Sequence, residues 1–365
     1  MGQAARSSVL DTPLAARHRE AEARMGAWFG CALPDNFGDW REEYRFARET
    51  VGLVDKNYRS YISLTGPDRV RYLHAILTNN VKDLAPGNGI VALLLNPQGH
   101  ILAEIETHAE ADRLFCISHA MSRDTLVPAL QKYIIMDDVT LTDDTEKYAA
   151  LGLEGPKTAA VVKDLTLVNL EGMAELESQR APLGQISCHV LRRSAGADTG
   201  AEFLAERAHL PALWRALEAA ARKSGGGPIG YTALNALRLE QGVPWFGYDF
   251  GDKQIPAEAG LEDSHLSFTK GCYTGQEIVE RVRSRGQVNR LRILLKFDGE
   301  ALPSSGAGLL AEGKEVGYVT RSAYSPALRC AIGMAYVRRE NSAAGHRMEC
   351  GGVPATVIEA PLARR

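Results

Sequence analysis

Lys270-Gly271-Cys272-Tyr273-Thr274-Gly275-Gln276-Glu277, followed by Ile278-Val279-Glu280-Arg281, is the stretch on which the reading of this chain turns. Thr274 and Glu277 have capping-box spacing, which predicts a helix starting at Thr274 with the Thr hydroxyl and the Glu carboxylate satisfying free amides. Cys272 would then stand just outside a helix N-terminus. The positive end of the helix dipole and the Lys270 ammonium two residues away favour its thiolate, and Glu277 opposes them. A thiol so placed has its pKa lowered by about one unit or more, each unit being about 1.4 kcal/mol toward the anion, and serves as nucleophile, soft metal ligand or redox handle. The alternative is a half-buried small apolar side chain beside a cap, and spacing alone holds the two level.

Working outward, Arg281, Arg283, Arg285, Arg290 and Arg292 form a local cationic strip. It suits a carboxylate tail, a phosphate or an acidic partner surface, although charge guarding a solvated edge strand is the commoner outcome. Upstream, a helix over Tyr231 to Gln241 ends at Gly242 with Pro244 beyond it. Within it Arg238 and Glu240 point about 200° apart, while Asn235 shares the side of Arg238; each taken singly reads as a surface polar residue. Asp55, after the apolar run Val51 to Val54, either ends a strand facing a pocket or forms a turn. His74, His108 and His119 have no zinc-site spacing.

The remaining composition sets bounds. With 365 residues, 45% of them hydrophobic, the chain can bury a full core, and two or three domains are expected. A formal charge of −3 gives no global attraction for nucleic acid or acidic membranes. The longest apolar run, Ile90 to Leu95, falls far short of the roughly 20 residues needed to cross a bilayer, and the first 20 residues contain no apolar signal core. Six cysteines lie singly with no C-x-x-C pair, so a reducing cytoplasm is expected, with Cys31, Cys116, Cys188, Cys330 and Cys350 in the core. No phosphate loop, dinucleotide fingerprint or serine elbow is present.

A frayed N-terminus through Pro13 is expected, then helices over Leu14 to Gly26 and Gly38 to Thr50, and strands over Val51 to Val54 and Tyr58 to Leu64. Asn96-Pro97-Gln98-Gly99 between two β-rich runs predicts a hairpin. Paired strands alternate with single helices through residue 289, which predicts an α+β sheet covered by helices on one face. From Leu291 short β runs alternate with Gly/Ser/Pro turns, which predicts a small antiparallel barrel over 290–365.

Lys270 to Glu277 resembles the K-G-C-[FY]-x-G-Q-E signature of the YgfZ family, folate-binding relatives of the glycine-cleavage T-protein (aminomethyltransferase). Arg238-Leu239-Glu240-Gln241-Gly242-Val243-Pro244 and Ile255-Pro256-Ala257-Glu258-Ala259-Gly260-Leu261 resemble that superfamily's R-L-E-x-G-x-P and P-x-E-A-G-L segments. The opening, from Trp28-Phe29-Gly30 through Gly52-Leu53-Val54-Asp55 to Leu77-Thr78-Asn79-Asn80-Val81, is similar to the T-protein's. The resemblance covers about residues 18 to 365. It implies a three-lobed α+β arrangement around a central folate channel, with 14–289 forming two folate-binding lobes that exchange near 50 and 150–230. It also implies tetrahydrofolate or a derivative as cofactor, held by Asp55, Asn96, Asp198, Arg238, Glu240, Tyr273, Gln276, Glu277 and Arg281, with Cys272 and Lys270 as the reactive pair.

Two departures divide the functional readings. T-proteins carry paired aspartates after the Gly-rich hairpin turn, where this chain has Ala103-Glu104. Their pterin-contacting glutamate falls here in Ala195-Gly196-Ala197-Asp198-Thr199-Gly200. With Cys272 added, the resemblance implies a monomeric factor that supports assembly or repair of iron–sulfur client proteins, with no membrane and no nucleic acid as partner. The alternative is a tetrahydrofolate-dependent aminomethyltransferase or demethylase with Glu104 or Asp198 as general base. A carboxylate one residue along a strand faces the other way, which counts against Glu104.

Overall fold

Leu210, Leu213, Trp214, Leu217 and Ala221 recur at helical spacing, and all five are buried on one stripe of the helix Leu210–Lys223. Proline in its first turn suits a helix start, because the missing amide would have had no partner there. The computed structural model describes residues 9–361, apart from the side chain of Arg285, and the chain divides into two units. Residues 9–63, 117–131 and 142–234 form the first; 64–116, 132–141 and 235–361 form the second.

In the first unit, six strands run in the order Ser178–Leu183, Ile186–Arg192, Gly200–Glu206, Tyr148–Glu154, Gly52–Asp55, Gly227–Pro228. Every pair is antiparallel except the last, which is parallel. Leu151, Leu153, Val190, Phe203 and Ala205 join Leu213, Trp214 and Leu217 in one core, so the sheet buries its apolar positions against Leu210–Lys223 and Thr158–Thr166. The helix Trp40–Glu49 starts where Asp39 accepts the Arg41 amide at 2.9 Å.

The expected helix over Leu14 to Gly26 is corrected: only Ala15–Glu20 is helical, and Arg24–Trp28 is a strand paired with Cys31–Asn36. Phe29 and Gly30 both have positive φ, 53° and 76°, so they make the two-residue turn of a hairpin. Of the expected frayed segment, residues 1–8 lie outside the described residues, while Leu10–Asp11 pairs in parallel with Cys31 and Ala32.

In the second unit, Gly89–Leu95 and Ile101–Ala109 form the antiparallel hairpin that the turn residues predicted. Asn96 Oδ1 accepts the amides of Gln98 and His100 at 3.0 and 2.9 Å, and Gly99 supplies φ of 78°. From Arg290 six strands close an antiparallel barrel in the order Arg290–Phe297, Cys330–Arg338, Lys314–Ser325, Gly308–Ala311, Arg347–Cys350, Val353–Ile358. Closure leaves no open edge, and Ala331, Ala335 and Val337 alternate inward onto Leu295, Phe297 and Val319. The fold class is α+β with a C-terminal antiparallel barrel, as the sequence implied. Among the described residues no helix is long and apolar enough to cross a membrane.

Candidate functional site

The octapeptide is shaped by the hairpin it packs on. A Cβ on Gly275 would lie 2.6 Å from the Asn96 carbonyl oxygen, and one on Gly99 would lie 2.9 Å from Ile278 Cγ2. Gly275 therefore takes φ of 82° as N-cap, and the helix begins at Gln276 and runs to Arg285 with no side-chain cap. This corrects the capping box at Thr274. Glu277 is exposed and Gln276 half-buried in the helix's first turn.

Lys270 is also reassigned. Its ammonium donates to the carbonyls of His74 and Leu77 at the end of the helix Arg69–Ile76, and burial pulls its pKa down to about 8. A cation committed to two carbonyls is not the thiolate's counter-ion, so the predicted activation of Cys272 loses its basic neighbour. Cys272 itself is exposed, and the other five cysteines are buried. Burial pushes the thiols of Cys31 and Cys188 up to about 11 and that of Cys116 to about 12. Tyr273 is a core residue beside Leu93, Leu95 and Ile101, its ring 5.1 Å from the Lys270 ammonium and its hydroxyl pushed up to about 12 by burial. A folate contact for Tyr273 is withdrawn on that ground.

Arg238 and Glu240 are corrected in the same way, because both are wholly buried. Arg238 pairs with Asp249 and donates to Asn235 Oδ1 at 2.9 Å, and Glu240 accepts from Ser325 at 2.5 Å. They join the helix Tyr231–Glu240 to the barrel, out of reach of a ligand. The cationic strip does not survive as a strip. Arg292 is turned inward to the carbonyls of Ala259 and Gly242, Arg283 covers Phe268 at 4.1 Å, Arg290 faces Glu258, and Arg281 stays exposed. The side chain of Arg285 lies outside the described residues.

In the first unit Asp55 is buried with His18 Nε2 at 2.9 Å and Asn57 Nδ2 at 2.6 Å. Its carboxylate is spent on holding the turn, so its assignment as a folate contact is withdrawn. Beside it Lys56 pairs with Glu154 at 3.2 Å, both fully buried. Glu154 also accepts from Ser194 Oγ and the Ala195 amide, both at 2.8 Å, and so braces the loop that carries exposed Asp198.

One constellation combines chemistry with access. On the strand Ile101–Ala109, Ala103 and Ile105 face the core while Leu102 and Glu104 take the more open face. The Glu104 carboxylate meets His265 Nε2 at 3.0 Å, and Ser264 Oγ lies 2.7 Å from the other ring nitrogen. Thr78 fixes this corner, donating to the His265 carbonyl and accepting the Leu93 amide, each at 2.8 Å. The side chains of Glu104 and His265 keep 15% and 10% of their surface, enough for a small group to touch. His265, which lies 161 residues from Glu104, carried no signal in the sequence, since it stands in no motif. Among the described residues no three His, Cys, Asp or Glu side chains gather to hold a metal.

Residues 14–264 match the family model described as the GCVT N-terminal domain, and residues 290–363 match the glycine cleavage T-protein C-terminal barrel domain. This chain belongs to the glycine cleavage T-protein family. An aminomethyltransferase of Streptomyces coelicolor is 29% identical, covering 92% of this chain and 91% of that protein. One of Moorella thermoacetica is 28% identical over 98% and 99%. The crystal structure of the glycine cleavage system aminomethyltransferase T from Bartonella henselae matches the fold with a TM-score of 0.88 over 98% of each chain, at 22% identity. These findings overturn the expected iron–sulfur role: the relatives that match nearly the whole T-protein-type chain are named aminomethyltransferases, and iron–sulfur clients are dropped with that role.

Proposed function

We propose that the chain is a tetrahydrofolate-dependent aminomethyltransferase in which Glu104 accepts the proton and His265 orients the carboxylate and shares its proton. The observation that carries this reading is the 3.0 Å contact between Glu104 and His265 on the partly open face of the hairpin. That strand is where the resemblance puts the family's acid/base aspartates. Tetrahydrofolate, when bound, supplies the nucleophilic ring nitrogen for the one-carbon unit. The donor set suits such a partner: attack frees one proton, the departing amine needs one, and a carboxylate sharing a hydrogen bond with an imidazole can take and return it. Ser264 holds the ring and Thr78 the backbone of His265 in place while this happens.

Of the residues assigned to folate from the sequence, Asn96, Gln276, Glu277 and Arg281 keep accessible surface and remain the proposed contacts; Asp198, exposed on its own loop of the first unit, is not joined to them here. The octapeptide around Cys272 supports placing the chain in the YgfZ branch of the family, and the transfer chemistry does not depend on that placement. Steady-state turnover of an aminomethyl or N-methyl donor with tetrahydrofolate is the test. A one-carbon folate product that requires the protein is expected; no product after long incubation overturns the reading.

A further inference from the structure

A cleft of about 270 Å³ opens in the first unit, lined by Arg59 and Tyr61, the start of the helix Arg123–Lys132, Thr145, Glu146 and Tyr148, and Arg207. Its volume is just under the roughly 300 Å³ at which pockets for drug-sized ligands begin, so the guest it fits is small. Three guanidinium groups line it, and they are not equally engaged. That of Arg59 is committed to the buried carboxylate of Glu202 at 2.9 Å. Arg123 gives its Nε to Asp143 at 2.7 Å. What remains, Nη1 of Arg123 and Nη1 of Arg207, converges from two sides on one carboxylate, that of Glu146.

Glu146 is a poor permanent partner for two arginines. Its side chain is 68% exposed on the loop after the strand Thr140–Asp143, and an ion pair that wet is weak. Among the described residues it is nevertheless the only acid within ion-pair distance of Arg207. Swinging Glu146 into solvent would leave two cations facing an aromatic wall, where the rings of Tyr61 and Tyr148 meet edge to face at 6.1 Å. Asp11, which also lines the cleft, is turned away onto Arg19, while exposed Asp124 at the rim adds a negative charge that disfavours a dianion.

We infer that this cleft binds a small organic monocarboxylate with a flat apolar body, whose carboxylate replaces that of Glu146 between Arg123 and Arg207. The planar two-oxygen geometry suits a pair of guanidinium groups, and the two tyrosines suit an aromatic or unsaturated body. Glu146 is then the cleft's own competitor, and this sets a sign that a merely structural ion pair would not give. The inference is independent of the transfer chemistry proposed above.

The test is a calorimetric titration of the full chain with benzoate, using acetate and inorganic phosphate as contrasts. Glu146→Gln is expected to tighten benzoate about fivefold, the upper end for a partly exposed ion pair. Arg207→Ala is expected to abolish binding and Arg207→Lys to retain part of it, while Arg222→Ala, an exposed arginine paired elsewhere with Glu218, leaves it unchanged. Should Arg207→Ala not fold, as judged by circular dichroism, Glu146→Gln decides alone. Benzoate binding that is absent from both wild type and Glu146→Gln, or that Glu146→Gln leaves equal or weaker, overturns the inference. Phosphate bound more tightly than benzoate overturns the assignment to a monocarboxylate.

Discussion

The two units place carboxylates beside basic side chains in opposite ways. In the first, Asp55 and Glu154 sit in dry surroundings with every oxygen committed, to His18, Asn57, Lys56, Ser194 and backbone amides. In the second, Glu104 meets the imidazole of His265 and keeps part of its surface. A buried, saturated carboxylate has no lone pair left for a reaction and contributes shape; a partly open one beside a titratable ring can still exchange a proton. What marks a working acid is thus access and a partner able to take the proton rather than the mere presence of charge.

The contrast can be broken experimentally, most sharply at its open end. Glu104→Gln keeps the shape and removes the base, so turnover should fall by about 10²- to 10⁴-fold with folding intact, and His265→Asn should cost less. Rate loss that tracks a loss of folded protein would erase the distinction between the units. At the closed end, Glu154→Gln leaves the Lys56 ammonium buried without its counter-charge. Chemical denaturation should show a destabilisation of about 3 kcal/mol, while activity per folded molecule stays unchanged.

A smaller effect belongs to Lys270. Its folded pKa, down to about 8 from 10.5, means that between those values the unfolded chain binds more protons than the folded one. Stability conferred by this group therefore rises as the pH climbs through that window. The stability difference between wild type and Lys270→Met, measured by denaturation from pH 7 to 10, should shift in favour of wild type as pH increases, and a flat difference would show that the two carbonyls fully offset burial. The smallest expected change is at Cys272: one thiol should react with a disulfide reagent in the native protein and six after denaturation, and Cys272→Ser should leave turnover unchanged.

Legibility in the sequence followed the range of the interactions. Helices such as Leu210–Lys223 and the hairpin around Asn96 to Gly99 are local patterns, and they were readable because periodicity and turn chemistry act over a few residues. The N-terminal hairpin escaped because its turn uses Phe29-Gly30 rather than an Asn-Gly or Asp-Gly pair. The capping box at Thr274 was locally well formed and lost to a distant demand, the Asn96 carbonyl against Gly275. The same holds for function: Arg238 and Glu240 looked like ligand contacts until their partners Asp249 and Ser325 appeared, and Glu104 gained its meaning from His265 across 161 residues.

Gly99 and Gly275 interlock like the two halves of a dovetail, each refusing even one extra carbon. The strand that bears Glu104 follows directly from one half, and the helix that follows Cys272 springs from the other. An engineer could therefore exchange the sulfur freely, yet a single methyl at either glycine would pry the joint apart and move the acid with it.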